Sequence, residues 1–207
     1  MLHGVYAVSR IGPHQLLVDP DQRIFLNVDW KQLEQIIAAR GDSSGVRITY
    51  LEGVLELMSP SFSHESIKKT LARLLETYAE EAGITLNGVG SWTLRRKPKE
   101  RAVEPDECYI IGPTKNRREP DLAIEVVWTR GGIDKLEVYC ELGVREVWVW
   151  QEGALTLHAL RKGGGYKVTT KSLFFPELDL RSLVALATAE DQTAAVRTFR
   201  AALRAPR

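Results

Sequence analysis

The sequence predicts an α/β fold in which a mixed sheet is flanked by helices. Three observations predict it. Residues 64–81 carry apolar side chains at helical spacing: Ile67, Leu71, Leu74, Leu75 and Tyr78. The run Leu122 to Trp128 is apolar without alternation except at Glu125, the pattern of a strand covered on both faces. A helical segment, Ile133 to Leu142, and another strand, Arg145 to Trp150, follow it, a strand–helix–strand unit whose crossover is right-handed in nearly all cases. The order is helix, antiparallel strands, then βαβ.

Each element has its own signal. The first 45 residues read as an N-terminal extension, with VYAVSR and HQLLVD as short strands. Asp29 caps a helix from Trp30 to Arg40 that Gly41 stops, and GDSSG is a loop. VRITYLEGVLELM, residues 46–58, reads as two strands turning at Glu52-Gly53. Ser59-Pro60 breaks the pattern, Ser61 or Ser63 caps the long helix, and Gly83 ends it. Thr85 to Leu94 and Ala102 to Ile111 are two strands joined by the basic turn RRKPKE. Gly143 is the C-cap of the 133–142 helix. A hairpin around the glycines 163–165 and a final helix, about 181–202, complete the chain. The expected organisation is one domain over 1–207, with a core at 46–185 and a C-terminal helix or tail at 186–207.

Composition narrows the function classes. The 207 residues hold 28 Lys+Arg against 27 Asp+Glu, a net charge of +1, with 44% hydrophobic and 27% charged residues. This excludes a wholly disordered chain, a collagen-like repeat and a coiled-coil rod. Near-zero charge exerts no global pull on nucleic acid, so such binding needs a local patch. Cys108 and Cys140 make neither a disulfide framework nor a four-thiolate zinc site and read as reduced thiols of a cytoplasmic protein. No apolar run approaches the roughly 20 residues of a membrane span. The N-terminus lacks the basic head and apolar stretch of a secretory signal.

Glu125 is the most informative residue. A buried carboxylate costs several kcal/mol unless it is paired or coordinated, so a metal or a lysine is expected beside it. A buried ion pair or a solvent-near strand edge is the plainer alternative. Asp106, after Pro105, shares a strand face with Glu104 and Cys108, opposite Glu107 and Tyr109; a surface strand entrance is its alternative. Two carboxylates converging from adjacent strands make a hard oxygen site for Mg²⁺ or Mn²⁺, the chemistry of phosphodiester hydrolysis. Lys135, in the first turn of the next helix beside Val138, Tyr139 and Leu142, is positioned to orient water or stabilise charge, or else snorkels at the surface. Glu56 is a supporting acid with Glu52 as rival. His64, on the Ile67–Leu71 stripe, touches phosphate or the acidic cluster, or is a satisfied core histidine.

Other constellations are weaker. Ser59, His64 and Asp106 lack the nucleophile elbow of a hydrolase triad, and Cys108 with His64 lacks a thiol-enzyme signature. The triple glycine lacks the Lys-Ser/Thr of a phosphate-binding loop. Arg95, Arg96, Lys97, Lys99 and Arg101, and then Lys115, Arg117 and Arg118, form two basic loops that bind phosphates or are simply solvated. Trp92 stacks on a base or packs in the core. Arg197, Arg200, Arg204 and Arg207 give the C-terminus a basic tail, either solubilising or binding DNA or a partner.

Four motifs occur in order: LELMSP, then His64 after three intervening residues; VEPDE; EPDLAIEVV; and Lys135, Tyr139, Gly143-Val144 and Val147-Trp148 at fixed spacing. Together they resemble the "putative restriction endonuclease" family, a cyanobacteria-rich branch of the PD-(D/E)XK nuclease superfamily, over residues 22–185. The resemblance implies a restriction-endonuclease-like core of helix, three antiparallel strands, helix and strand. It implies Asp106 and Glu125 as metal ligands and Glu56 and His64 as the N-terminal motif. The superfamily's strand lysine falls at Val127, and Lys135 on the following helix stands in for it. The implied activity is Mg²⁺- or Mn²⁺-dependent cleavage of DNA by a homodimer. The alternative is an inactive nuclease fold used for nucleic-acid binding or assembly.

Overall fold

The computed structural model describes residues 20–41 and 45–205. Both N-terminal strand assignments, VYAVSR and HQLLVD, lie outside the described residues, as does most of the GDSSG loop. The chain runs β1 (Gln22–Asn27), α1 (Trp30–Arg40), β2 (Arg47–Leu51), β3 (Val54–Ser59), α2 (Phe62–Glu81), β4 (Leu86–Gly88), β5 (Leu94–Arg96) and a 3₁₀ turn. It continues with β6 (Arg101–Val103), β7 (Glu107–Ile111), β8 (Leu122–Val127), α3 (Lys135–Leu142), β9 (Glu146–Gln151), β10 (Ala154–Leu160), β11 (Tyr166–Thr169), α4 (Leu180–Leu186) and α5 (Gln192–Arg204). The fold is α/β with two sheets, one of them mixed.

Local chemistry sets the boundaries. Asp29 accepts from the Gln32 amide at 2.8 Å while the Gln32 side chain accepts from the Asp29 amide at 2.8 Å, a reciprocal cap on α1. The β2–β3 turn places Glu52 and Gly53 at φ 45° and 91°, the left-handed pair that a two-residue hairpin requires. Of the two serines proposed to cap the long helix, Ser61 does so, its side chain accepting from the His64 amide at 3.2 Å.

Two sheets share the chain. Strands β1-β3-β2-β6-β5 form an antiparallel five-stranded sheet, and β11-β10-β9-β8-β7-β4 form a six-stranded one. Only β8 and β9 pair in parallel among these strands, joined by α3 as the βαβ reading requires. β8 is buried on both faces. Leu122, Ile124 and Val126 meet Leu71, Leu74 and Leu75 of α2, while Ala123 meets Val138 and Tyr139 of α3. Leu94 and Val103 of the small sheet join that second cluster, and Trp30 and Leu33 of α1 pack on Ile48, Tyr50 and Leu55.

The structure corrects two boundaries. The segments 85–94 and 102–111 are not single strands. Each splits, giving β4 and β7 to the large sheet and β5 and β6 to the small one. Pro105 has no amide hydrogen to continue a ladder, and there the chain passes from one sheet to the other. The C-terminal helix is likewise two, with Asp191 starting the second by accepting from the Thr193 and Ala194 amides. α5 packs on α2, burying Ala195 and Phe199, and Arg200 and Arg204 pair with Glu80 and Glu81 rather than forming a free basic tail. Among the described residues no helix is long and apolar enough to cross a membrane.

Candidate active site

Asp106 lies at the passage between the sheets, just after Pro105, and is 1% exposed. The β7–β8 ladder ends at the Glu107–Ile124 pair, and the Asp106 side chain takes over beyond it. Its Oδ2 accepts from the Val126 amide at 2.8 Å and lies 3.0 Å from His64 Nε2. Its Oδ1 is buried with no hydrogen-bond partner among the described residues, 4.0 Å from Arg47 Nε. Burial alone would raise its pKa. The Lys135 charge, His64 and the Val126 amide outweigh that and hold it well below the usual carboxylate range.

Glu125, in the middle of β8, is buried and paired. Lys135 Nζ donates to its Oε2 at 2.6 Å, and the Tyr139 hydroxyl donates to its Oε1. Lys135 and Tyr139 are four residues apart on α3, so one helix face delivers both donors. Asp134 starts that helix by accepting from the Leu136 amide at 2.9 Å, which places Lys135 in the first turn. Burial pushes the Glu125 carboxyl up to about 7; Lys135 opposes the shift and Asp106 adds to it. Burial disfavours the Lys135 ammonium, yet Glu125, Asp106 and Glu56 outweigh it and keep the pKa raised.

His64 is completely buried. Its Nδ1 is 3.1 Å from Asp21 Oδ2, so the ring stands between two carboxylates. Burial works against the imidazolium, but Asp106 and Asp21 raise its pKa to about 9. Glu56 is engaged elsewhere: it accepts from Arg23 Nε at 2.9 Å and from the Ile133 amide at 2.7 Å. Arg23 also donates to the Thr129 carbonyl at 2.6 Å. Together these contacts pin the strap of residues 128–134, between β8 and α3. A Cβ on Gly132 would come within 2.9 Å of Glu56 Oε2, so the strap passes the carboxylate where only glycine fits without a shift.

Glu56, Glu125, Lys135 and Arg23 line one cavity of about 430 Å³, floored by Val147 and Val149. Asp106 and His64 are not among its lining residues; both are buried, touching each other. A larger cavity of about 640 Å³, lined by Arg40, Trp92 and Glu104, shares no residue with it. Glu52, the rival to Glu56, sits in the hairpin turn paired with Arg101 at 2.9 Å. Asp21, Arg23, Arg47 and Tyr139 were not among the candidates. Only Tyr139 carried a sequence signal, its place one turn beyond Lys135.

Neither discarded constellation is assembled as a catalytic unit: of the first, His64 and Asp106 meet without the serine. His64 has both ring nitrogens on carboxylates, and Ser59 is not its partner. Burial raises the Cys108 thiol to about 12, and its Sγ donates to the Gly90 carbonyl at 3.1 Å. The basic loops are partly consumed internally: Arg101 is buried against Glu52 and Glu137, Lys99 pairs with Glu141, and Arg117 with Asp121. Trp92 packs against the cluster around α3.

Among the described residues no three His, Cys, Asp or Glu side chains group to hold a metal. Two carboxylates, one with an unpartnered oxygen, nonetheless fit a hard cation that keeps most of its waters.

Comparison with known proteins places these elements in a family. No curated protein matches the chain. The chain is similar to one in the crystal structure of a putative nuclease belonging to DUF820 from Anabaena variabilis ATCC 29413. The identity is 13%, over 75% of this chain and 90% of that one, with a TM-score of 0.45. The family model Uma2, described as "Putative restriction endonuclease", matches residues 30–191. That stretch holds Glu56, His64, Asp106, Glu125 and Lys135, and the chain belongs to the Uma2 putative restriction endonuclease family.

Proposed function

We propose that this protein is a divalent-metal-dependent endonuclease that hydrolyses DNA phosphodiester bonds, with Asp106 and Glu125 as metal ligands. The observation that carries the reading is Asp106 Oδ1, a buried carboxylate oxygen without a hydrogen-bond partner among the described residues, in the same charged cluster as Glu125 and Lys135. An oxygen so placed is costly unless something binds it. Mg²⁺ or Mn²⁺, held by one or two carboxylates with waters and substrate phosphate, suits this donor set. When bound, the ion supplies Lewis-acid polarisation of the phosphate and an acidified water.

The protein's own groups do the rest. Lys135 keeps its proton beside Glu125 and presents a positive charge to the cavity, where it orients the attacking water and offsets charge developing on phosphorus. Tyr139 holds Glu125 in register with that ammonium. The Val126 amide and His64 fix one Asp106 oxygen and leave the other available. Glu56, with Arg23, fixes the strap that forms one wall. The proposed form is a homodimer, because cutting two strands uses two sites.

One observation favours a second reading. Both Glu125 oxygens already accept hydrogen bonds, from Lys135 and Tyr139, as in a purely structural ion pair. In that reading the chain is an inactive nuclease fold that binds nucleic acid or assembles with a partner. Nicking of supercoiled plasmid with Mg²⁺ or Mn²⁺ separates the two. Wild type is expected to nick, and Glu125→Gln to lose about 100-fold, the scale of one missing transition-state electrostatic contact. Equal rates for both proteins would sink this site. A wild type that neither nicks nor binds Mn²⁺ would favour the second reading.

A further inference from the structure

We propose that Asp21 is a positioning residue that acts through His64 to present Asp106 to the metal; the proposal rests on the metal-centred reading above. Asp21 lies nine residues before the family match begins and immediately precedes β1. Its surroundings hold it from several sides. Oδ1 accepts from the Ser61 amide at 2.9 Å, Oδ2 meets His64 Nδ1 at 3.1 Å, and Arg23 stands 3.6 Å away. Its own amide donates to Thr129 Oγ1 at 3.0 Å, tying it to the strap. The side chains of Asp21, His64 and Asp106 are all fully buried.

An imidazole has two polar atoms, and here each faces a carboxylate. Rotating the ring would turn carbon toward Asp106 or Asp21, so Asp21 sets the ring plane and the ring sets Asp106. The Val126 amide donates to Oδ2 and His64 Nε2 stands 3.0 Å from it, which leaves Oδ1 without a hydrogen-bond partner among the described residues. Asp21 therefore reinforces, through the ring, the Val126 amide's hold on Oδ2 and so the exposure of Oδ1 to the metal, although it does not touch the site itself. Outer partners of this kind typically change metal affinity by about 10–100-fold.

The cap at Ser61 separates this role from a merely structural one. Ser61 Oγ caps α2 through the His64 amide, whereas it is the Ser61 backbone amide that donates to the Asp21 side chain. Mn²⁺ binding to the full chain, by calorimetric titration, is the measurement, with melting temperature read in parallel. Asp21→Ala is expected to weaken Mn²⁺ binding about tenfold. Asp21→Asn keeps an oxygen for the Ser61 amide and offers an N–H to Nδ1 of a neutral ring that donates from Nε2 to Asp106, so it is expected to stay within about threefold of wild type and guards against a variant that does not fold. Ser61→Ala is expected to lower the melting temperature and leave the affinity unchanged. Unchanged affinity in Asp21→Ala would overturn the proposal while leaving the metal site standing. So would a loss in Ser61→Ala as large as in Asp21→Ala, because the effect would then come from the helix end. No Mn²⁺ binding by wild type would overturn the metal reading and this proposal with it.

Discussion

Lys135 and Glu125 form a pair in which neither charge is tolerable alone. Removing one partner of a buried pair leaves the other desolvated, at a cost of about 3–5 kcal/mol, whereas removing both together is often close to neutral. Lys135→Met is therefore expected to destabilise the protein by that amount in urea unfolding. Lys135→Met with Glu125→Gln is expected to recover most of the loss. If the double variant is no more stable than the single one, the pair is not coupled as the 2.6 Å contact implies. The sequence showed that Glu125 needed a partner, because a carboxylate inside LAIEVVW has few alternatives. It also showed Lys135 within reach. It did not show Asp21, because no local pattern connects residues 43 positions apart.

At the scale of elements, the strap between β8 and α3 is held by Arg23 and Glu56, and Gly132 is the point of closest approach. Gly132→Ala is expected to push Glu56 off the Ile133 amide, losing a charge-assisted hydrogen bond worth about 1.5–3 kcal/mol. Gly163→Ala, where an added Cβ meets nothing within 4 Å, is expected to stay within about 0.5 kcal/mol of wild type. Thermal melts compare the two; an equal response would mean the strap is not held at this point. α1, the β2–β3 hairpin, α2 and the βαβ unit were legible because each has a cap, a left-handed turn or a clear period. The splitting of 85–94 and 102–111 was not, because each piece is three to five residues long and its sheet partner is distant in sequence. Pro105 was the one local mark of the break.

For the whole molecule, the Asp21–His64–Asp106 line ties the residue before β1, the start of α2 and the passage between the sheets. Its charge state therefore enters overall stability. His64 rises from 6.5 to about 9 on folding, so its contribution is fully present below pH 6.5 and is lost as pH climbs through 9. Glu125, raised from 4.5 to about 7, changes stability in the same direction, but over a lower range. The fall in melting temperature of the metal-free protein between pH 7 and 9 therefore belongs mainly to His64. His64→Gln is expected to flatten it, and an undiminished slope in that variant would count against the charged histidine.

The loops that build the site differ in length, and this bears on the order in which it forms. Glu125 and Lys135 meet across 10 residues, whereas His64 and Asp21 meet across 43. Closing the longer loop costs about 1.3 kcal/mol more chain entropy at the usual logarithmic scaling. The lysine-bearing half is thus a near neighbour in sequence that can organise with its own strand and helix. The histidine-bearing half is a distant contact whose formation waits on closing that longer loop, so the same centre combines an early-forming part and a late one.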